Sequence, residues 1–155
     1  MFRLLPPTLL CLLSACVATP QPSVEALAPG RTDIALVSAT PPLTGTLTRS
    51  EGFTVRLKYF LAGVSSDAYY ITPQFDTFLP GQTASGVPDG EHKRYPRLPS
   101  RSGEIELFVP LSEILQSANI SRPYRVRFYL TRETSETTSL VEATTKVYEL
   151  KVAVP

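Results

Sequence analysis

The single histidine, His92, is the residue on which general acid–base chemistry would depend. Asp89 and Glu91 lie close to it in the chain, so either carboxylate would be available to orient the imidazole. A nucleophile would have to be one of the nearby serines, Ser85, Ser100 and Ser102. None of them stands in a GxSxG motif, and a lone histidine in a polar loop is far more often solvated than catalytic. We therefore predict no enzyme activity and no catalytic residue.

Ligands for a metal ion are equally scarce. Only Cys11 and Cys16 occur, and Cys11 lies in an apolar segment at the start of the chain that we expect to be cleaved. This leaves no cysteine pair for a disulfide, a CxxC redox site or a zinc site. The aspartates at positions 67, 76 and 89 are scattered, without the spacing of a calcium loop. We predict no metal site and no cofactor.

A basic cluster in the same loop is the best candidate for a partner contact. The segment 89–101 carries four basic and two acidic residues, a local charge of +2, among prolines. An acidic partner, an anionic lipid headgroup or a glycan would suit such a surface, and a solvated loop is the simpler alternative. The predicted contact residues are His92, Lys93, Arg94, Tyr95, Arg97 and Arg101.

Two further stripes combine basic and aromatic side chains on strand-like segments. Arg56, Lys58 and Phe60 form one stripe, and Arg125, Arg127 and Tyr129 form the other. Pairing across strands with glutamates is the simpler explanation, at about 0.2–1 kcal/mol per pair. The glutamates available are Glu104, Glu106, Glu142 and Glu149.

The elements that must position these residues are strands. Residues 53–61 alternate strictly, with apolar side chains at every second position, and residues 103–109 and 124–130 do the same. Segments 33–38, 68–75 and 139–153 add further strands. Within 68–75, Pro73 predicts an end, a bend or a sheet edge. Residues 76–102 predict a long loop with room for one short strand, and residues 132–138 a polar connection. Ser112 is a candidate cap for a short helical turn over 113–117.

About seven short alternating strands with turns between them predict an all-β fold, an antiparallel β-sandwich with one short helical turn. The pattern over residues 31–155 resembles immunoglobulin-like and fibronectin type III domains. A transthyretin-like sandwich is the alternative. The cysteine pair of antibody domains and any tryptophan are missing, and the resemblance implies no function.

The first 15 residues resemble a bacterial lipoprotein signal peptide. Arg3 precedes an apolar run, and Leu13-Ser14-Ala15-Cys16 resembles a lipobox, the motif after which the cysteine becomes the acylated N-terminus. The resemblance implies lipidation of Cys16, and several acyl chains give stable membrane anchoring. Val17 stands where aspartate would retain such proteins in the inner membrane, so we expect the outer membrane and its periplasmic face. Residues 16–30, with prolines at 20, 22 and 29, predict an extended tether before the domain at 31–155.

Charge and composition restrict the partners. Without residues 1–15 the chain has 14 basic and 14 acidic residues, which excludes the basic excess of a nucleic-acid-binding protein. Hydrophobic residues make up 43% of the chain, enough for one globular domain. Together these features predict a non-enzymatic interaction or assembly module of the cell envelope, held to the membrane by lipid on Cys16 and binding an envelope protein. The alternative is a lipid-anchored carrier of a small apolar or anionic ligand.

Overall fold

The computed structural model describes residues 25–48, 50–63, 66–85, 95–116, 119–135 and 138–153. In chain order its strands are β1 (Asp33–Thr40), β2 (Thr46–Leu47), β3 (Phe53–Phe60), β4 (Tyr69–Asp76), β5 (Thr83–Ser85), β6 (Ser102–Val109), β7 (Tyr124–Ser135), β8 (Thr138–Thr144) and β9 (Tyr148–Val152). A 3₁₀ turn, Ser66–Ala68, precedes β4, and one turn of helix, α1 (Leu111–Ile114), joins β6 to β7.

The strands form two sheets. The smaller sheet has the order β1-β3-β6, with antiparallel pairing throughout. The larger sheet has the order β2-β9-β7-β4-β5, and β8 also pairs with β7. The long strand β7 is its centre: β4 covers one edge, while β9 and β8 share the other edge in succession.

The core lies between the sheets and follows directly from the alternation in the sequence. In β3 every second residue is buried, from Phe53 to Tyr59, and Leu61 continues the row. The facing residues of β4 and β7, among them Phe75 and Phe128, are completely buried in the same cluster. Each buried aliphatic or aromatic side chain contributes about 1.5–3 kcal/mol of transfer free energy.

This architecture confirms the predicted all-β sandwich. The first, second and fourth long strands of the chain (β1, β3 and β6) form the smaller sheet, and the third, fifth, sixth and seventh (β4, β7, β8 and β9) lie in the larger one. That is the division of strands A, B and E from C, F and G in immunoglobulin-like sandwiches. The short strand β5 lies beside β4 in the larger sheet.

Two local predictions need correction. Ser112 does not cap α1: the helix begins at Leu111 after Pro110 and has no side-chain cap. The burial of Leu111 and Ile114 one turn apart accounts for its position. Residues 132–135 are not a connection, because β7 continues to Ser135 and pairs with β8 there. For Pro73, the sheet edge among the three predicted alternatives is confirmed: β4 continues through Pro73 to Asp76, and among the described residues it pairs along its outer edge only at Tyr70 and from Gln74 onward.

Candidate functional site

A hollow of about 490 Å³ lies on the outer face of the larger sheet. Its lining comes from outward positions of β4, β7 and β8 together with β5 and the segment 95–97. The lining residues are Tyr70, Thr72, Gln74, Ser85, Tyr95, Arg97, Tyr129, Thr131, Glu133, Ser139 and Val141. We call this hollow the tyrosine groove.

The floor of the tyrosine groove is low because small and large side chains alternate across two strands. Tyr70 of β4 lies opposite Thr131 of β7, and Thr72 lies opposite Tyr129. The two threonines therefore occupy one diagonal and the two tyrosines the other. Thr72 and Thr131 are each only 5% exposed although they are on the outer face, because the taller tyrosines rise beside them.

One wall is built by the chain as it returns from β5 to β6. Leu98 is buried, and its N–H donates to the carbonyl of Tyr69 at 3.0 Å, while Arg97 bridges to Tyr70. This attachment places the Tyr95 ring parallel to the Tyr70 ring, with 6.1 Å between centroids and 7° between planes. The Arg97 guanidinium lies over the Tyr70 ring, 5.4 Å from its centroid, a cation–π distance.

Charge in the wall is balanced within the chain. Arg97 forms an ion pair with Glu133 of β7, and each side chain is about one-third exposed. Arg97 also donates to the carbonyl of Ala68 at 3.4 Å. The hydroxyls of Tyr95 and Ser85 are 2.8 Å apart. Burial raises the pKa of Tyr95, and the contact with Ser85 opposes that shift.

The remaining rim is polar. Gln74 donates through Nε2 to the Thr72 hydroxyl at 3.2 Å and accepts from the Thr83 hydroxyl at 3.1 Å. Across the groove, Ser139 and Val141 extend the lining onto β8. Val141 is 45% exposed and Leu140 beside it is 50% exposed. The groove thus offers hydroxyls, one amide and aromatic rings, with apolar surface at one end.

The structure divides the residues predicted from the sequence. Tyr95 and Arg97 are in the tyrosine groove. Arg101 is elsewhere: its guanidinium donates to the carbonyl of Leu61 at 3.4 Å. His92, Lys93 and Arg94 lie outside the described residues, so their prediction stays open. Of the serines considered as nucleophiles, Ser85 contacts Tyr95, and Ser100 donates to the carbonyl of Ser102 at 2.6 Å.

Sequence reasoning missed most of the lining, above all Tyr70, Thr72, Thr131 and Glu133. All four are at outward positions of strands, where a polar or aromatic side chain is ordinary. Tyr129 belongs to one of the two basic and aromatic stripes predicted from the sequence. A useful signal was available: a tyrosine and a threonine two positions apart occur in both β4 and β7, although their register cannot be obtained from the sequence.

Cross-strand pairing of the basic stripes is confirmed. Arg56 lies 3.2 Å from Glu104 and 3.9 Å from Glu106, and Arg125 lies 3.6 Å from Glu149. Arg127 has a different partner, Asp76, at 2.5 Å. The Arg127–Asp76 pair lines a second, smaller hollow of about 320 Å³ beside the turn between β4 and β5.

The described part of the predicted tether contacts the domain at its first residue. Both carboxylate oxygens of Glu25 accept from the Tyr148 hydroxyl, at 3.1 and 3.2 Å, and Lys146 Nζ is 2.5 Å from Glu25. Lys146 also lies over the Tyr148 ring. Burial, and then the Glu25 carboxylate, raise the pKa of Tyr148 well above its ordinary value. The chain is thereby attached to β9 before it enters β1.

Comparison with other proteins gives no assignment: no family model, curated sequence or solved structure matches this chain significantly. Within the described ranges, no group of three or more histidine, cysteine, aspartate or glutamate side chains could hold a metal ion. No helix in that part of the chain is long and apolar enough to cross a bilayer.

Proposed function

We propose that this chain is a lipid-anchored protein of the cell envelope that acts as a non-enzymatic interaction module. Acylated Cys16 holds the β-sandwich at the periplasmic face of the outer membrane, and the tyrosine groove is the surface that contacts a partner. The lipobox-like residues Leu13 to Cys16 support the anchor. The groove supports the binding role.

The observation that carries the binding role is the rigid, concave arrangement of Tyr70, Tyr95 and Tyr129. Outer faces of sheets are ordinarily covered by solvated polar chains, whereas here a separate segment is attached over the sheet and forms a wall. The hollow of about 490 Å³ falls within the usual range for ligand sites, about 300–1,000 Å³. Tyrosine is enriched in binding surfaces because it combines a large apolar ring with a hydrogen-bonding end.

The attachment at Glu25 supports a position close to the membrane. Glu25 follows Cys16 by nine positions, and a fully extended chain spans at most about 3.6 Å per residue. The point of attachment on β9 would then be within about 30 Å of the lipidated cysteine. Tethering at such a distance raises the effective concentration of the module for partners at the same membrane.

The alternative, a carrier of a small ligand, is supported by the volume of the groove alone. An anionic ligand fits the groove poorly, because Glu133 already neutralises Arg97. A purely apolar cargo would leave the Thr72 and Thr131 hydroxyls and the Gln74 amide facing apolar atoms. A carrier would be recognised by a small molecule that copurifies with the full chain and is detected by mass spectrometry after denaturation.

The binding role is tested by crosslinked pull-down of the full-length chain from membranes. Deleting 76–102 is unsuitable, because it removes β5 and the buried Leu98. Tyr129→Ala instead removes one tyrosine of the groove, and Phe108→Ala removes an aromatic side chain, 57% exposed, from the outer face of the smaller sheet. We expect Tyr129→Ala to lose a defined partner that the wild type and Phe108→Ala retain. Equal retention by all three would refute the role of the groove.

The anchor is tested separately with Cys16→Ser. Metabolic labelling with a radioactive fatty acid should mark the wild-type chain and not the variant, and the variant should appear in the soluble periplasmic fraction. Lipid labelling and membrane retention of Cys16→Ser would contradict the lipobox interpretation.

A further inference from the structure

We infer that the tyrosine groove binds an uncharged oligosaccharide segment and recognises it through side chains alone. The inference rests on the proposed binding role of the groove and names the chemical class of the partner. Three independent properties of the site carry it: its charge balance, the use of its backbone, and the alternation of rings with hydroxyls.

The paired charges of the groove argue against a ligand that binds through a formal charge of its own. Among the described residues that line the groove there is one cation, Arg97, and one anion, Glu133, and these pair with each other. Arg97 is held further by the Tyr70 ring and by the carbonyl of Ala68. A phosphate or carboxylate would have to displace Glu133, and a cation would have to displace Arg97. The site therefore favours a ligand without net charge.

The backbone of β7, the central strand of the floor, is already used. The groove-lining part of β7 pairs with β4 on one edge and with β8 on the other, so its N–H and C=O groups are engaged in the two ladders. A peptide that adds to a sheet needs a free strand edge to supply its hydrogen bonds. At β7, recognition has to come from side chains, which suits a ligand that itself carries many separate donors and acceptors.

The side chains alternate in the way a sugar chain alternates. Rings are contributed by Tyr70, Tyr95 and Tyr129, and between and beside them lie Thr72, Gln74, Ser85, Thr131 and Ser139. A pyranose presents an apolar face of C–H groups that packs on an aromatic ring. Its hydroxyls project at the edge of that face, where they can donate to and accept from hydroxyl and amide groups. The Tyr70 ring already packs on Tyr95 and Arg97. Tyr129 is therefore the ring that we expect to receive the sugar.

A proline-rich peptide is the competing ligand, because such peptides bind between aromatic rings. Here the Tyr70 ring is stacked on Tyr95 and carries Arg97, so these rings already pack on each other and leave no open slot between them. The observations favour the sugar.

The test uses the full-length lipidated chain in a polyoxyethylene detergent, which has no sugar headgroup. The chain is applied to an array carrying neutral, phosphorylated and acidic glycans, and affinities are then measured by calorimetry with soluble neutral tetrasaccharides from the array. Amide chemical shifts locate the site. We expect saturable binding of a neutral glycan, with the largest shifts at Thr72, Tyr129 and Thr131.

Two variants and one control assign the contact. Tyr129→Ala removes a stacking ring, and Thr131→Val removes a hydroxyl at nearly constant volume in a strand that valine favours. Each should weaken binding about tenfold, the usual effect of one lost contact, while Phe108→Ala should bind as the wild type does. Circular dichroism establishes that the variants are folded.

Several outcomes would overturn the assignment. These are the absence of binding to every neutral glycan, a preference for phosphorylated or acidic glycans, tighter binding of a proline-rich peptide at the same amides, or glycan binding unaffected by both groove variants. The proposed function is judged by the pull-down instead. A protein partner lost in Tyr129→Ala without any glycan binding would end the sugar assignment and leave the binding role of the groove standing.

Discussion

The two outer faces of this sandwich are built from the same alternating strands and differ in what they present. On the smaller sheet, Arg56 lies between Glu104 and Glu106, and all three side chains are about half exposed or more. On the larger sheet, Thr72 and Thr131 are almost fully covered and tyrosines surround them. The first face is a solvated surface of paired charges, and the second is a groove.

The difference has two physical causes. At the centre of the smaller sheet, side chains of similar length lie opposite each other, as Arg56 does opposite Glu106. On the larger sheet, small and large residues oppose each other, and the segment at Tyr95–Arg97 adds a third layer. The smaller sheet has such a contrast only toward its ends, as at Thr54 opposite Phe108, so the covering segment is the feature that distinguishes the groove.

The largest effect on stability is expected at Gly52, where the chain before β3 packs against the end of β6. Gly52 has φ +75° just before β3, and a Cβ there would come within 2.3 Å of the Val109 carbonyl oxygen at the end of β6. An alanine at position 52 would be strained by the positive φ and would also overlap with the Val109 carbonyl. We therefore expect Gly52→Ala to lower the free energy of unfolding by about 3 kcal/mol, measured by urea denaturation of the full chain.

Gly81, in the turn between β4 and β5 of the larger sheet, supplies the matched control. Its φ is +76°, but a Cβ there would meet nothing within 4 Å. Gly81→Ala should therefore cost only about 1 kcal/mol, the conformational part of the effect. Equal losses of stability for the two variants would show that the close approach of Gly52 to the Val109 carbonyl does not add to the cost of the substitution.

Next in size is the contrast between two arginines. Arg97→Ala removes an ion pair, a cation–π contact and a hydrogen bond from a partly covered wall, and should cost about 1–2 kcal/mol. Arg56→Ala removes only exposed ion pairs and should cost about 0–0.5 kcal/mol. Thermal and urea unfolding in low and high salt measure both, and a larger loss for Arg56→Ala would reverse our distinction between the faces.

Alkaline pH should weaken the larger sheet and its covering segment. Burial is the first cause that raises the pKa of Tyr69, Tyr95 and Tyr148 above their ordinary value of 10.0. Above pH 10 the unfolded chain loses these protons while the folded chain retains them, so the free energy of unfolding falls as pH rises. Urea denaturation between about pH 9 and 11.5 measures the decline.

Tyr148→Phe isolates one contribution to that decline. The variant has no proton to lose at this position, so its stability should fall less steeply with pH than that of the wild type. Glu25→Gln keeps an acceptor for the hydroxyl but removes the carboxylate charge, and its slope should lie between the other two. Three indistinguishable slopes would exclude the Tyr148–Glu25 contact as a source of the pH dependence.

The smallest effect is expected at Ser112, in the helical turn that crosses from one sheet to the other. Because α1 has no side-chain cap, Ser112→Ala should change the free energy of unfolding by less than about 0.5 kcal/mol. A loss of about 1 kcal/mol or more in urea denaturation would restore the capping role that the sequence suggested.

Much of the fold was predictable because it depends on local periodicity. The alternation from Phe53 to Leu61 identified both the strand and its buried face, and the same reasoning placed Val126, Phe128 and Leu130 in the core. The extension of β7 through Arg132 and Glu133 was missed, since charged residues there resemble a loop. In the structure these side chains pair with Glu142 and Arg97, which are distant in sequence.

The sequence by itself determined which residues form strands and which face of each strand is buried, because the side-chain period of a strand is a local property. It also determined the tether composition and the lipobox-like residues around Cys16. Only the tertiary structure decided that Tyr70, Arg97 and Glu133 meet. Arg97 is 27 positions from Tyr70 and 36 positions from Glu133, and their contact depends on the register of β4 against β7 and on the attachment of Leu98. Register and fold-back are relations between distant segments, so no local pattern encodes the groove.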